Sequence, residues 1–136
     1  MKLSFKNDGG RTILYIDVIG KEDAEGWLQA MVYFDDKGFS ANFEISIMLN
    51  DLYAFVDQLK PIQKFLTGTA IFSNIEDNIN VKFSTDGIGH IEMNGMLRHS
   101  YNWDLQILFV INSDQTFLQE LITECDQILQ YYRPKL

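Results

Sequence analysis

Cysteine is nearly absent from this chain. The one thiol, Cys125, cannot close an internal disulfide or build a multi-cysteine metal site, which fits a reducing compartment. Proline is scarce as well. Pro61 and Pro134 are the only two, and no Pro/Gly/Ser-rich linker or low-complexity stretch divides the chain. Long apolar runs are also missing. None approaches the roughly 18–20 residues that span a bilayer, and the amino terminus lacks the apolar stretch of a secretory signal. These shortages point to a single cytoplasmic domain over residues 1–136.

Positive charge is the next deficit. Eleven Lys and Arg stand against nineteen Asp and Glu, a net charge of −8. Phosphate binding needs cations, so nucleic acid and anionic membrane are disfavoured as partners. A basic protein partner is permitted, while acidity that only maintains solubility accounts for the same charge. The deficit is sharpest between Arg98 and Arg133, where Asp104, Asp114, Glu120, Glu124 and Asp126 occur with no Lys or Arg among them. Glu120 and Glu124 are four apart on an expected helix, a spacing that places like charges side by side. The expectation from this pattern is that the outer face of that helix meets a basic partner; a merely solvated acidic face is the plainer alternative.

Aromatics are abundant, with ten Phe and six Tyr, and such residues favour sheets and fill cores. Phe39, Ala41, Phe43, Ile45, Ile47 and Leu49 alternate with more polar residues, the period of a strand with one buried face. Trp103, Leu105, Ile107, Phe109 and Ile111 alternate likewise, and Leu108 and Val110 on the opposite face suggest a strand covered on both sides. Ile79, Val81 and Phe83 form a third, and segments 12–20, 27–35, 69–75 and 90–98 are weaker examples. Asp8-Gly9-Gly10, Asp36-Lys37-Gly38 and Asp86-Gly87 supply residues that tolerate positive φ. Turns this short join antiparallel neighbours.

Two segments switch to a helical period. Asn50-Asp51 opens the first, whose stripe is Leu52, Phe55, Val56 and Leu59; Pro61 is expected to end or kink it near Lys60. Asn112-Ser113-Asp114 opens the second, whose stripe runs from Phe117 and Leu118 to Tyr132. Asp51 and Asp114 share a strand–cap–helix context, which suggests a ββββα duplication with pseudo-repeats 1–66 and 67–133. The fold class is therefore α+β: about eight antiparallel strands, in one curved sheet or two packed sheets, with two helices.

Catalytic signatures are lacking. His90 and His99 have no metal-ligand spacing. His90 and Glu92 share a strand face, yet no nucleophile is placed beside them by sequence. Cys125 lies on the apolar stripe of the second helix and reads as a small hydrophobe. Gly87-Ile88-Gly89 lacks the following helix and lysine of a phosphate loop. No cofactor and no metal are expected.

The runs Leu49-Asn50-Asp51-Leu52-Tyr53-Ala54-Phe55, Gly68-Thr69-Ala70, Asp86-Gly87-Ile88-Gly89-His90-Ile91 and Ser113-Asp114-Gln115-Thr116-Phe117-Leu118 resemble the WapI family of bacterial immunity proteins, from about residue 28 to residue 130. The resemblance implies a cytoplasmic, non-catalytic protein that binds and neutralises a toxin domain, often a nuclease, delivered between competing bacteria. It transfers no binding residues. Two other readings stand beside it. One is a small-ligand module with a pocket in the curved sheet, lined by Trp27, Tyr33 and Trp103. The other is an enzyme built on His90 and Glu92. The sequence does not decide the oligomeric state.

Overall fold

The computed structural model of the chain describes residues 1–99 and 105–133. Alternating segments become strands wherever a turn lets them pair. The order is β1 (Lys2–Lys6), β2 (Thr12–Ile19), β3 (Trp27–Asp36), β4 (Phe39–Met48), α1 (Leu49–Phe65), β5 (Thr69–Ser73), β6 (Ile79–Thr85), β7 (His90–Arg98), β8 (Gln106–Asp114) and α2 (Gln115–Tyr132). Two antiparallel four-stranded sheets result, ordered β1-β2-β3-β4 and β5-β6-β7-β8. The expected α+β class and the ββββα repeat are both present, and two packed sheets are the form taken. The turn at Lys37-Gly38 shows why its residues matter: both have positive φ, +54° and +84°, the geometry of a tight hairpin.

The inner faces of the two sheets meet in one continuous core. Phe5 of the first sheet lies 6.2 Å from Phe72 and 5.9 Å from Phe83 of the second, centroid to centroid. Phe55 of α1 closes the group at 5.2 Å from Phe72. All four rings are fully buried, and burying one such side chain stabilises by roughly 1.5–3 kcal/mol. The helices cross over between halves. α1 packs on β5, α2 packs on β1, and the helices lie against each other. Leu52, Phe55, Val56, Leu59 and Ile62 of α1 are buried, and so are Leu118, Leu121, Ile122, Cys125 and Ile128 of α2. The two sets match at the spacing from Leu49 to Gln115, 66 residues.

Several sequence expectations are revised. The repeat does not run in the register that pairs Asp51 with Asp114. Asp114 is the N-cap of α2 and accepts the Thr116 N–H at 2.8 Å. Asp51 is instead three residues past the cap Met48, and its carboxylate accepts the Met48 N–H at 2.8 Å. Asn50 therefore lies inside α1. Pro61 does not end α1, which continues to Phe65. Pro61 and Asp57 are exposed, so the carbonyl that loses its bond faces solvent, and the buried Ile62 that follows Pro61 holds the helix on. β8 is not covered on both sides: Leu108 and Val110 are 70% and 46% exposed. The start of β4 is also open, with Phe39 at 71%. β1, too short for a clear alternation, supplies the eighth strand. Trp103 and Pro134 lie outside the described residues.

Candidate functional site

The acidic residues of the carboxy-terminal quarter have internal uses. Asp114 caps α2. Glu120 pairs with Lys6 at 2.9 Å. Asp126 stands 3.9 Å from Lys60. Glu124 is half-buried and accepts the Ser4 N–H at 2.8 Å and the Ser4 hydroxyl at 3.0 Å. Burial pushes its carboxyl above the ordinary 4.5, against the lowering by the two Ser4 donors and Lys6. Glu120, Glu124 and Asp126 thus share α2, where packing on β1 and α1 brings cations that the local sequence lacks. Asp104 lies outside the described residues.

Glu124 also exposes a rule of this fold. β1 is an edge strand, and an edge leaves every second N–H and C=O unpaired. Glu124 occupies that edge. In the other half, Gln58 of α1 accepts the Ile71 N–H of edge strand β5 at 3.0 Å, and Gln58 precedes Glu124 by the same 66-residue spacing as the buried stripes. The fourth strands are closed only at their ends. The Asp8 N–H donates to the Asn112 carbonyl of β8 at 2.8 Å, and the Asn74 side chain donates to the Ser46 carbonyl of β4 at 3.2 Å.

Beyond those contacts the fourth strands run out of the core. A cleft of about 980 Å³ lies along the open half of β8, where the tip of the β3–β4 hairpin approaches it. Phe34 and Phe109 meet across it at 4.8 Å. Phe109 lies over Gly95, its cross-strand partner, in space where a Cβ at Gly95 would overlap the ring. Leu108 and Val110 line the rim. At its ends Arg98 holds Asp77 at 2.7 Å, and Arg11 holds Asp36 at 2.7 Å.

The remaining candidates do not converge. His90 and Glu92 are exposed on the open outer face of β7, and neither lines the cleft. Glu92 accepts from the Asn94 amide at 2.7 Å. Cys125 is fully buried, and burial, with Asp126 and Glu124 nearby, pushes its thiol up to about 12. Tyr33 stacks on Tyr15 at 4.5 Å on the outer face of the first sheet, and Trp27 starts β3, so neither lines a sheet-enclosed pocket. The space between the sheets is occupied by the phenylalanine group. Among the described residues no group of three or more His, Cys, Asp or Glu could hold a metal ion, and no helix is long and apolar enough to cross a membrane.

Sequence reasoning missed the edge-closing parts of Gln58 and Glu124 and the exposure of Leu108 and Val110. Alignment of the two halves at the 66-residue spacing is the signal that would have found them.

Comparison with known proteins gives a fold and a family. A chain of the Trypanosoma bruciei MRP1/MRP2 crystal structures superposes with a TM-score of 0.53 at 10% identity, covering 96% of this chain and 83% of that one. That likeness concerns the fold alone. No curated protein matches in sequence. The profile of the immunity protein WapI-like family matches residues 4–133, nearly all of the two ββββα units just described. The chain belongs to the WapI-like immunity protein family.

Proposed function

We propose that this protein confers immunity by binding a basic toxin domain, occluding it with a preformed acidic exterior and making or breaking no bonds. One observation carries the reading beyond family membership. The chain is acidic by eight charges, and its three arginines are all committed to internal ion pairs: Arg11 to Asp36, Arg98 to Asp77 and Arg133 to Glu22. The arginines are thus engaged within the fold, and the eight lysines are too few to offset nineteen acidic residues. Such a field speeds encounter with a positively charged partner and favours complementary docking. A nuclease that grips phosphate is one such partner. The action is placed in the cytoplasm, where a toxin that has entered the cell would act.

The outer face of α2 is the proposed contact. Glu120 and Asp126 supply its charge and Asp114 lies at its start, while Glu124 fixes the helix to β1 from beneath. Lys6 and Lys60 only partly offset the first two, since exposed pairs are screened and exchange readily.

The test is association with a basic toxin domain encoded beside this gene. Binding is expected to weaken as salt rises, and the double reversal Glu120→Lys with Asp126→Lys should slow association. A fold that survives this reversal with unchanged association and salt dependence would remove α2 as the contact. No binding to any such toxin would remove the reading itself.

A further inference from the structure

The two halves of the chain provide an internal control, because the same strand occurs twice. At the 66-residue spacing the outward-facing residues Ser40, Asn42, Glu44 and Ser46 of β4 correspond to Gln106, Leu108, Val110 and Asn112 of β8. The ends agree in polarity and the middle does not. Where the first half has Asn42 and Glu44, the second has two exposed aliphatics. The fold therefore does not require apolar residues there.

The backbone of the same stretch is open. Asn112 turns its carbonyl away from β7 toward Asp8. Backbone groups of an edge strand point alternately inward and outward, so Val110, Leu108 and Gln106 point outward as Asn112 does. Among the described residues nothing bonds to these outward groups. The other edges are blunted, β1 by Glu124, β5 by Gln58, and the open part of β4 by the charge of Glu44. Charge on an edge is a common guard against strand addition. From Leu105 to Ser113 the chain carries no charge at all.

We propose that the open half of β8 is a self-association edge, through which two copies of this chain pair antiparallel about a two-fold axis near Leu108. A residue at such an axis can exchange both of its backbone hydrogen bonds with its own copy, since the interface is isologous. The axis would place Leu108 against Leu108 and join the two aliphatic patches, giving one continuous eight-stranded sheet. Charge selects this occupant. Two chains of net charge −8 repel each other, and the uncharged stretch from Leu105 to Ser113 adds no like-charge contact to a seam formed there. A basic segment of another protein would find no carboxylate in the strand itself, and Asp36 and Asp77 beside it already hold Arg11 and Arg98. The acidic face of α2 stays available in the pair, so this inference does not depend on the toxin reading.

Sedimentation velocity of the full chain over a wide concentration range tests it. The expected result is a reversible species of twice the 15.8 kDa chain mass. Leu108→Asn with Val110→Glu, which installs the first half's residues, should abolish that species and leave the circular dichroism spectrum unchanged. Glu44→Gln in β4 should leave the dimer intact. Should the double variant not fold, hydrogen exchange of the wild type decides: the Leu108 and Val110 amides should gain protection as concentration rises. A wild type that stays monomeric at millimolar concentration overturns the proposal. So does a folded double variant that still dimerises, or a β8 edge whose exchange is independent of concentration.

Discussion

Glu124 holds Ser4 across 120 residues of sequence, taking the Ser4 N–H at 2.8 Å on one carboxylate oxygen and the Ser4 hydroxyl at 3.0 Å on the other. This pair fastens α2 to the edge of β1, and Gln58 does the same for α1 and β5 with a neutral amide. Glu124→Gln should therefore keep the fold, because a Gln oxygen already serves at the equivalent position. Glu124→Ala leaves the Ser4 N–H at a half-wet edge and should cost about 1 kcal/mol. Chemical denaturation of both variants distinguishes the two outcomes.

The same carboxyl predicts a pH dependence. Its pKa is raised in the folded protein, so the folded state holds the proton more tightly than the unfolded one. Its contribution to stability is fully present below the ordinary 4.5 and is lost as pH rises through the raised value. Thermal unfolding measured upward from pH 4.5 should show a shallower decline in Glu124→Gln than in the wild type. Equal slopes would mean that Glu124 is not the group responsible.

Gly95→Ala tests the packing beneath the cleft. The new methyl would occupy the position of the Phe109 ring, which must swing away from Phe34. Overpacking of this kind costs typically 1–3 kcal/mol, of which about the upper half is expected here. Gly95→Ala with Phe109→Leu should recover part of the loss, and equilibrium unfolding reads both.

Cys125 should be inert in the native protein. Its thiol is fully buried and pushed up to about 12, so almost no thiolate exists at neutral pH. Labelling by a thiol reagent is expected to follow global unfolding, with native-state rates that track the stability of each variant. Rapid native labelling would show that α2 opens locally.

Pro61→Ala should stabilise the protein. The helix already runs through this exposed position, and alanine restores the bond to the Asp57 carbonyl. A gain of about 1–3 kcal/mol is expected, reduced by the extra freedom of the unfolded chain. Denaturant titration measures it.

The helices show what was legible before any coordinates. Phe55, Val56 and Leu59, and Leu118, Leu121, Ile122 and Cys125, fall at helical spacing because one face of each helix must leave water. That constraint acts within a few residues. The strands were legible for the same reason, through period two and turn residues such as Lys37-Gly38. Pro61 carries a local cost that the sequence shows, whereas the burial of Ile62 that offsets it belongs to the tertiary structure. The exposure of Leu108 and Val110 is not legible in the sequence, because alternation separates two faces of a strand and says nothing of what lies against either.

The acidic run before Arg133 marks the boundary between the two kinds of information. Sequence alone determined that the protein is acidic, that its two ββββα units build an α+β core, and that α2 carries no cation of its own. Only the tertiary structure decided that Lys6 and Lys60 come to Glu120 and Asp126, that Glu124 closes a strand edge, and that β8 leaves an uncharged one open. Burial patterns are local and repeat along the chain. Charge pairing and edge closure depend on which elements become neighbours, and that is fixed only when the two halves cross.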